Sequence, residues 1–459
     1  MKLSLLRPMR YIIPLMTLLV LLTSGVSHAY SFREATYAVT VTNLTSGQPF
    51  SPPVFATHRR AAAFFDTGQR ANRGIQEIAE NGNNAVLVEA LQRDRRIFEV
   101  QEGDAPLVPI DNPGEVEFNS TATYMITANR WANHLSVAAM LICTNDGFTG
   151  LDAITLPAQV GQTITAYTNS YDAGTEINTE DFADIVPPCQ GLIGASSDDE
   201  GTGTSNPALA ENGVITLHPG VEGEDDLQPD LHGWNDPVAK IEVTRVATYE
   251  VTVSNLTTGQ AFSPPVIVAH RDAADVFTVG DAANEGIQEI AENGNNAALI
   301  AALGSSTDVF EFQEGAAPLV PADNPGGTDF GSEATYTVHA NIEARYLSIA
   351  TMLICTNDGF TGLDSVTLPF RVGESLTLYA NGYDAGTEIN TEDFADIVPP
   401  CQGLIGVSSD DEGTGTSNPD LAEDGVISLH PNIEGGNDLL PELHGWTAPV
   451  AKIEIKRVD

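Results

Sequence analysis

The chain has 459 residues, and its 63 acidic and 20 basic side chains give a formal net charge of −43. A negative field of this size repels nucleic acid and anionic lipid, which argues against either as a partner. Most of these carboxylates are expected to keep the protein soluble, and only those gathered in glycine-containing turns suggest that the chain binds a cation.

Residues 1–29 have the pattern of an export signal. Basic side chains precede an apolar run at 11–22, and a small-x-small cleavage site ends at Ala29. A membrane anchor is the alternative, but the run is shorter than the ~20 apolar residues that a spanning helix needs. We therefore expect a secreted, extracellular protein with no membrane insertion, with the periplasm or the cell surface as alternative locations.

From residue 35 onward two similar copies of one sequence follow each other, at a fixed offset of 212 residues and with no net insertion or deletion. The first copy spans 35–246, and the second follows directly at 247–458. This period exceeds the roughly 20 to 50 residues of a solenoid unit and suits a whole domain with its own core. We predict two tandem domains with these boundaries, joined rigidly because no flexible linker separates them.

Each copy opens with alternating β-branched or aromatic residues, at 36–42 and 249–254, which predict a half-buried strand. A Pro-Pro pair then forces an extended segment. One helical region follows, at 74–91 and 286–303, with a Gly-Asn break inside it. After this region we predict only short strands, among them 124–128, 135–143, 162–168 and 238–246. The pattern predicts an all-β fold, with two antiparallel β-sandwich domains that each carry a short helical insertion.

The four cysteines fall two in each copy, 46 residues apart. In an exported protein the simplest assignment is one disulfide inside each domain, Cys143 with Cys189 and Cys355 with Cys401. A redox or zinc pair is the alternative, and it is disfavoured because the sequence has no CxxC motif or neighbouring ligand cluster.

Two acidic turns stand out from the diffuse negative charge, at 143–152 and 171–178. Each follows a predicted strand and contains glycine, so its carboxylates and carbonyls can bend around a calcium ion. Asp172 and Glu176 bracket an Ala-Gly turn and can point to one centre. The turns lack the EF-hand register, and Asp-Gly turns also occur for purely conformational reasons, so the spacing alone leaves both interpretations open.

In these turns the chain resembles the spondin amino-terminal domain family, which includes F-spondin, mindin and many exported bacterial proteins. The resemblance covers nearly all of both copies, and in the first it is carried in order by 37–45, 52–58, 145–150, 171–176 and 237–241. It implies C2-like β-sandwiches with one calcium per domain. Carried over by position, the implied ligands are Asp146, Asp172 and Glu176, and in the second copy Asp358, Asp384 and Glu388.

The chain departs from the animal members of this family at two positions. Gly147 follows the first aspartate where those members have Trp, and Glu176 stands where they have Asp. Glutamate is one methylene longer than aspartate. We therefore expect Glu176 to bind the ion only if its loop retreats slightly.

Three histidines recur in both copies, and they could bind zinc, although packing is the favoured interpretation because no HxH or HxxxH spacing occurs. They are His58 with His270, His218 with His430, and His232 with His444. A repeated tryptophan beside the last strand, Trp234 or Trp446, either forms an exposed contact or closes the core. In a eukaryotic secretory pathway, Asn43, Asn119 and Asn255 would be glycan acceptors.

No nucleophile elbow, HExxH helix, phosphate loop or dinucleotide fingerprint occurs in the sequence. The preferred hypothesis is a secreted, non-enzymatic calcium-binding protein that mediates adhesion through an extracellular protein or glycan. A calcium-stabilised structural spacer without a ligand is the first alternative. A polysaccharide hydrolase that uses a carboxylate pair is the second. The sequence predicts neither the partner nor the oligomeric state.

Overall fold

A computed structural model describes residues 34–196, 199, 201–409, 411 and 413–459. The predicted export signal at 1–29 lies outside these described residues. Among the helices that are described, none is both long enough and apolar enough to cross a membrane.

The secondary structure is mostly β. The strands are β1 Glu34–Asn43, β2 Val54–His58, β3 Ile97–Glu102, β4 Thr121–Asn129, β5 His134–Met140, β6 Gly147–Thr155, β7 Thr163–Thr168, β8 Ser170–Asp172, β9 Thr216–Leu217, β10 Ala239–Asn255, β11 Val266–His270, β12 Val309–Glu314, β13 Glu333–Ala340, β14 Tyr346–Met352, β15 Gly359–Thr367, β16 Ser375–Ala380, β17 Gly382–Asp384, β18 Ser428–Leu429 and β19 Ala451–Arg457. The α-helices are α1 Arg73–Asn81, α2 Ala85–Arg93, α3 Pro188–Ile193, α4 Pro229–His232, α5 Glu285–Asn293, α6 Ala297–Ser305, α7 Pro400–Ile405 and α8 Pro441–His444. Short 3-10 turns lie at Phe182–Asp184, Phe394–Asp396 and Pro419–Leu421.

Strand pairing divides the chain into a first unit, residues 34–246, and a second unit, residues 247–459. In the first unit a four-stranded sheet, β4-β1-β10-β7, faces a six-stranded sheet, β3-β2-β5-β6-β8-β9. The second unit has the corresponding sheets β13-β10-β19-β16 and β12-β11-β14-β15-β17-β18. All pairings are antiparallel. The predicted all-β, sandwich-like class is confirmed.

The core between the two sheets of the first unit is built from alternate side chains. Val39 and Ile126 from the four-stranded sheet meet Phe55 and Leu135 from the six-stranded sheet. Strand β5 is buried at all its positions, whereas β4 alternates between buried and more exposed ones. This difference arises because helices cover the outer face of the six-stranded sheet.

Helices α1 and α2 form this outer layer, as the helical pattern predicts. Ile75 and Ile78 of α1 are fully buried against the sheet, and burying one such side chain contributes roughly 1.5–3 kcal/mol. Asn72 caps the first turn by accepting a hydrogen bond from the backbone of Ile75. Gly82, at φ 61°, ends α1 in the left-handed conformation and makes the predicted break.

The expectation that only strands follow this region is wrong at two short helices in each unit, α3 and α4 in the first and α7 and α8 in the second. In both α3 and α4 a proline occupies the first turn, which fixes φ for a helix and needs no N–H partner. These helices are only 6 and 4 residues long, too short for the apolar periodicity that identifies longer helices.

Helix α3 carries one half of the first unit's disulfide. Cys189 bonds to Cys143, which follows β5, with their Cα atoms 5.0 Å apart. Cys355 bonds to Cys401 in the second unit, and no cysteine is free among the residues that the structure describes. Both predicted disulfide pairings are confirmed.

Strand β10 belongs to both units and has 17 residues. Val246 pairs with Thr36 of the first unit, and the next residue, Ala247, pairs with Ala340 of the second. The prediction that the last strand of one copy runs directly into the first strand of the next is confirmed. Odd-numbered side chains of this strand face the core on both sides of the junction.

Side-chain hydrogen bonds also join the two units. The carboxylate of Asp459 accepts from the backbone N–H of Thr36 at 3.0 Å and from that of Thr248 at 2.6 Å. The Thr248 hydroxyl donates to the Thr36 hydroxyl at 2.9 Å. These contacts fix the first strands of the two units against each other.

Candidate functional site

The two predicted acidic turns meet at one edge of the six-stranded sheet. Gly147 at the start of β6 pairs with Asp172 at the end of β8, so Asp146 lies next to the second turn. A Cβ atom at Gly147 would lie 2.3 Å from the hydroxyl oxygen of Thr144. A side chain at this position would therefore displace the Thr144 hydroxyl, which accepts a hydrogen bond from the backbone N–H of Gly147 at 2.9 Å.

Asp146 is a fully buried carboxylate that organises the second turn. Its Oδ2 accepts hydrogen bonds from the backbone N–H groups of Thr175 at 2.7 Å and Glu176 at 3.1 Å. Its Oδ1 is buried and has no hydrogen-bond partner. Asp358 repeats the arrangement in the second unit, again with an unpartnered Oδ1. Each unit therefore has one unsatisfied acceptor at the same place. A buried carboxylate oxygen without a hydrogen-bond partner is energetically costly.

Asp172 lies beside Asp146 and shapes the turn through both of its oxygens. Oδ1 accepts from the backbone of Gly174 at 2.7 Å, and Oδ2 accepts from the side-chain amide of Asn178 at 2.8 Å. Burial raises the pKa of Asp146 to about 6, and the negative charge of Asp172 adds to this rise, while the N–H donors oppose it. The two carboxylates are therefore electrostatically coupled.

The side chain of Glu176 takes a different direction. Its Oε1 accepts from the backbone of Asn206 at 3.0 Å, and it lines a cavity of about 260 Å³ together with Glu80 and Asp184. Burial raises the pKa of Glu176 to about 7, and the charge of Glu80 adds to the rise. Glu388 lies in the equivalent cavity of the second unit.

The structure therefore joins the predicted ligands only in part. Asp146 and Asp172 are neighbours, as are Asp358 and Asp384, whereas the carboxylates of Glu176 and Glu388 form other hydrogen bonds. Within the described ranges, no group of three or more Asp, Glu, His or Cys side chains lies together as a metal cluster. The predicted ligand set stays a prediction.

His218 is a neighbour of this site that the sequence analysis identifies only as a recurring histidine. The Nδ1 of His218 accepts from the backbone of Gly220 at 3.1 Å, and its buried Nε2 has no partner. Burial lowers the pKa of His218, while the charge of nearby Asp172 opposes the fall. In the second unit the pKa of His430 is lowered to about 4. His218 is therefore a neutral imidazole beside the acidic turn, and its ring packs edge-on against half-buried Trp234.

The other recurring histidines make separate contacts. His232 accepts from the backbone of Gln228 through Nδ1 and packs edge-on against Phe182. His58 contacts the hydroxyl of Ser136 through Nε2 at 2.7 Å. Ser136 in turn donates to Asp152 at 3.0 Å. These partners agree with the packing interpretation of the three histidines.

The contact between His58 and Ser136 resembles a base and nucleophile pair, and His270 with Ser348 repeats it at 2.8 Å. Both members of each pair are fully buried, at 0% exposure. The aspartate contacts the serine rather than the histidine, unlike the order in a catalytic triad. We interpret these pairs as hydrogen bonds that join neighbouring buried strands.

A second buried acid that the sequence analysis did not single out holds a nearby loop. Glu180, at φ 58°, accepts hydrogen bonds from three consecutive backbone N–H groups, those of residues 222, 223 and 224, at 2.5 to 2.8 Å. Such a carboxylate replaces a strand partner for the loop backbone. Part of the large negative charge is therefore structural, and no spacing rule in the sequence identifies it.

Two of the three sequence triplets for glycan attachment are inaccessible. The side-chain amide of Asn43 is fully buried and donates to the backbone oxygens of Gln48 at 2.7 Å and Leu107 at 3.1 Å. Asn255 makes the equivalent contacts in the second unit. Their role is to close the turn after the first strand, and only Asn119 is exposed. The triplet pattern alone cannot distinguish these environments.

The fold and the site define the class of module, a disulfide-bonded β-sandwich with acidic turns at one edge. Residues 35–181 match the family model Spondin_N, which supports a spondin N-terminal domain in the first unit. The matched segment contains Asp146, Asp172 and Glu176. No curated protein matches the chain.

Proposed function

We propose that the protein is a secreted, non-enzymatic calcium-binding protein with two spondin-type domains, which adheres to an extracellular protein or glycan. The observation that carries the proposal is the buried, unpartnered Oδ1 of Asp146 beside the carboxylate of Asp172, repeated at Asp358 and Asp384. Calcium prefers carboxylate and carbonyl oxygens on bending loops, which these turns offer.

The donor set fits a calcium ion in each unit. Asp146 and Asp172 would hold it, together with carbonyl oxygens of the turns, and Glu176 would join only by leaving its hydrogen bond with Asn206. A bound ion supplies positive charge to two coupled carboxylates and ties the two turns together. It would thereby fix the loops at this edge of the sandwich.

The same edge offers a surface for a partner. Ile177 lies on the second acidic turn and Val214 on the segment packed against Gly174 of that turn, with 50% and 40% of their surface exposed, and Ile389 and Val426 repeat them with 49% each. Exposed apolar side chains rimmed by polar groups are typical of contact sites. Calcium would position these side chains indirectly, by ordering the loops that carry them.

Calcium titration calorimetry on the purified chain tests the metal proposal. We expect two ions per chain for the unchanged protein and none after Asp172→Asn with Asp384→Asn. Asp111→Asn with Asp323→Asn is the matched control, because it removes the same charge from exposed positions outside the turns. Equal titrations of the unchanged and Asp172→Asn/Asp384→Asn proteins would show that the site is wrong.

Binding to a glycan array and to cell surfaces, with calcium or with a chelator, tests the adhesive role. We expect calcium-dependent binding that Ile177→Ser with Ile389→Ser weakens without changing the calcium titration. The structural spacer is the second candidate, and the continuous strand β10 favours it. A spacer would melt at a lower temperature in chelator yet bind no partner in either condition.

A further inference from the structure

A cavity of about 790 Å³ lies where the two units meet, away from the acidic turns. The first unit supplies Gln159 and Val160 from the β6–β7 loop, and strand β10 supplies Arg245, Ala247 and Tyr249. The rest of the wall comes from the β13–β14 loop, the β15–β16 loop and strand β19 of the second unit. The volume falls within the ~300–1,000 Å³ typical of small-molecule sites, and the cavity needs both units.

Apolar side chains form most of its wall. Ile342 and Phe370 keep 62% and 79% of their surface exposed, which is unfavourable for large apolar groups unless something covers them. The first unit is firmly seated here, since Val160 packs against the core of the second. A Cβ atom at Gly161 would lie 2.5 Å from the Ile342 side chain. The wall is therefore a close contact of two units rather than a loose gap.

The charged residues that line the cavity are all basic, opposite to the charge of the whole chain, and the nearby carboxylate of Asp459 accepts from the backbone of Thr248 behind the wall. Arg245, Arg345 and Arg457 line it, and no Asp or Glu does, although acidic residues outnumber basic ones 63 to 20 overall. In the described part of the chain, neither Arg245 nor Arg345 forms an ion pair with an acidic side chain. Three guanidinium groups therefore concentrate positive charge at one apolar cavity.

The donors of these arginines are only partly used. Arg245 donates from Nη1 to the backbone oxygen of Ala158, and its buried Nε has no partner. Arg345 is exposed, donates to the hydroxyl of Tyr346 at 3.5 Å, and places its guanidinium 5.5 Å from the centre of the Tyr346 ring. Arg457 donates to the backbone oxygens of Phe370 and Asp459. A guanidinium carries five N–H donors, so Arg245 and Arg345 retain donors for an anion.

A comparison of the two copies sets this cavity apart from the general fold. Arg345 and Phe370 correspond to Asn133 and Ala158 in the first copy, at the offset of 212 residues. The β-sandwich therefore forms without an arginine or a phenylalanine at these positions. Both substitutions in the second copy add what an amphipathic anion needs, a cationic group and an apolar surface.

We propose that this junction cavity binds a single-chain amphipathic carboxylate. The chain of the ligand covers Ile342 and Phe370, and its carboxylate accepts hydrogen bonds from Arg345 and Arg245. A guanidinium binds a carboxylate through two parallel N–H donors, which gives the headgroup its selectivity. The proposal is independent of calcium binding at the acidic turns.

Titration calorimetry with decanoate, decanol and acetate tests the proposal on the purified full chain. Decanoate carries both the chain and the charge, decanol only the chain, and acetate only the charge. We expect decanoate to bind at least ten-fold more tightly than either of the other two. Arg345→Asn and Phe370→Ala, which install the residues of the first copy, should each weaken decanoate binding at least three-fold.

The matched control is Arg93→Ser, which also installs the residue of the other copy and removes one positive charge from the exposed end of α2. It should leave decanoate binding unchanged, and the melting temperatures of all variants should stay close to that of the unchanged protein. No decanoate binding at 1 mM (about 4 kcal/mol) would overturn the proposal. So would equal binding of decanoate and decanol, or an equal loss of decanoate binding in Arg93→Ser.

Discussion

The calcium-free protein should become less stable as the pH rises from about 4 to about 7. Burial raises the pKa of Asp146 from its ordinary 3.8 to about 6, and Asp358 behaves alike. In this window the folded chain holds protons that the unfolded chain has released, so stability falls with rising pH. A pKa change from 3.8 to about 6 corresponds to about 3 kcal/mol for each site.

Urea unfolding in metal-free buffer at pH 4.5, 5.5, 6.5 and 7.5 measures this effect. Other groups also titrate here, and the lowered pKa of His218 acts in the opposite direction, since its contribution rises as the pH increases towards 6.5. The comparison is therefore with Asp146→Asn plus Asp358→Asn, which lacks both carboxyl groups. The free energy of unfolding of the unchanged protein should fall relative to this variant by about 3 kcal/mol per site over the window.

Calcium bound as proposed should reverse the difference, because an ion held by the ionised carboxylates would stabilise the folded chain at neutral pH. At pH 7.5 with calcium, the unchanged protein should be more stable than the variant. Parallel pH profiles of the two proteins in metal-free buffer would refute the reasoning, since Asp146 and Asp358 would then titrate as ordinary carboxyl groups.

Three further changes should alter stability, each measured by urea unfolding. Cys143→Ser with Cys189→Ser should cost roughly 2–5 kcal/mol, because the closed loop spans 46 residues, and a loss under 1 kcal/mol would contradict a stabilising disulfide. Asn43→Asp should cost roughly 2–4 kcal/mol, because a carboxylate oxygen would then face two buried carbonyl oxygens; unchanged stability would contradict that contact. Gly150→Ala should destabilise by more than about 2 kcal/mol, since its Cβ would lie 2.2 Å from a carbonyl oxygen of β5, whereas Gly191→Ala, whose Cβ meets nothing within 4 Å, should not.

The elements that the sequence predicts correctly are those whose signal lies within a short stretch of sequence or within one copy. The strands β1 and β10 show alternation, the helices α1 and α2 show apolar periodicity with a glycine break, and the two disulfides follow from counting cysteines in each copy. The short helices α3 and α4 were missed, because one or two turns are too short to show a period and their prolines suggest loops equally well.

The sequence predicts the parts of the site that depend on nearby turns and strands, but not the contacts that distant segments supply. Asp146 and Asp172 meet because Asp146 immediately precedes β6 and Asp172 ends β8, which pairs antiparallel with β6. The direction of the Glu176 side chain depends on Asn206 and Glu80, which come from distant segments of the chain. Arg245 and Arg345 likewise meet at the junction only in the folded chain, so no spacing in the sequence predicts their cavity.

The shared strand β10 restricts how many residues could be inserted at the junction between the two units. Because successive side chains of a strand alternate between its faces, one residue inserted between Val246 and Ala247 would turn every later inward side chain of β10 outward. Two inserted residues would preserve the alternation and displace the second unit by one pleat repeat. Because the repeated segment has an even length, equivalent side chains of both units lie on the same face of β10. The orientation of the second unit therefore depends directly on that of the first.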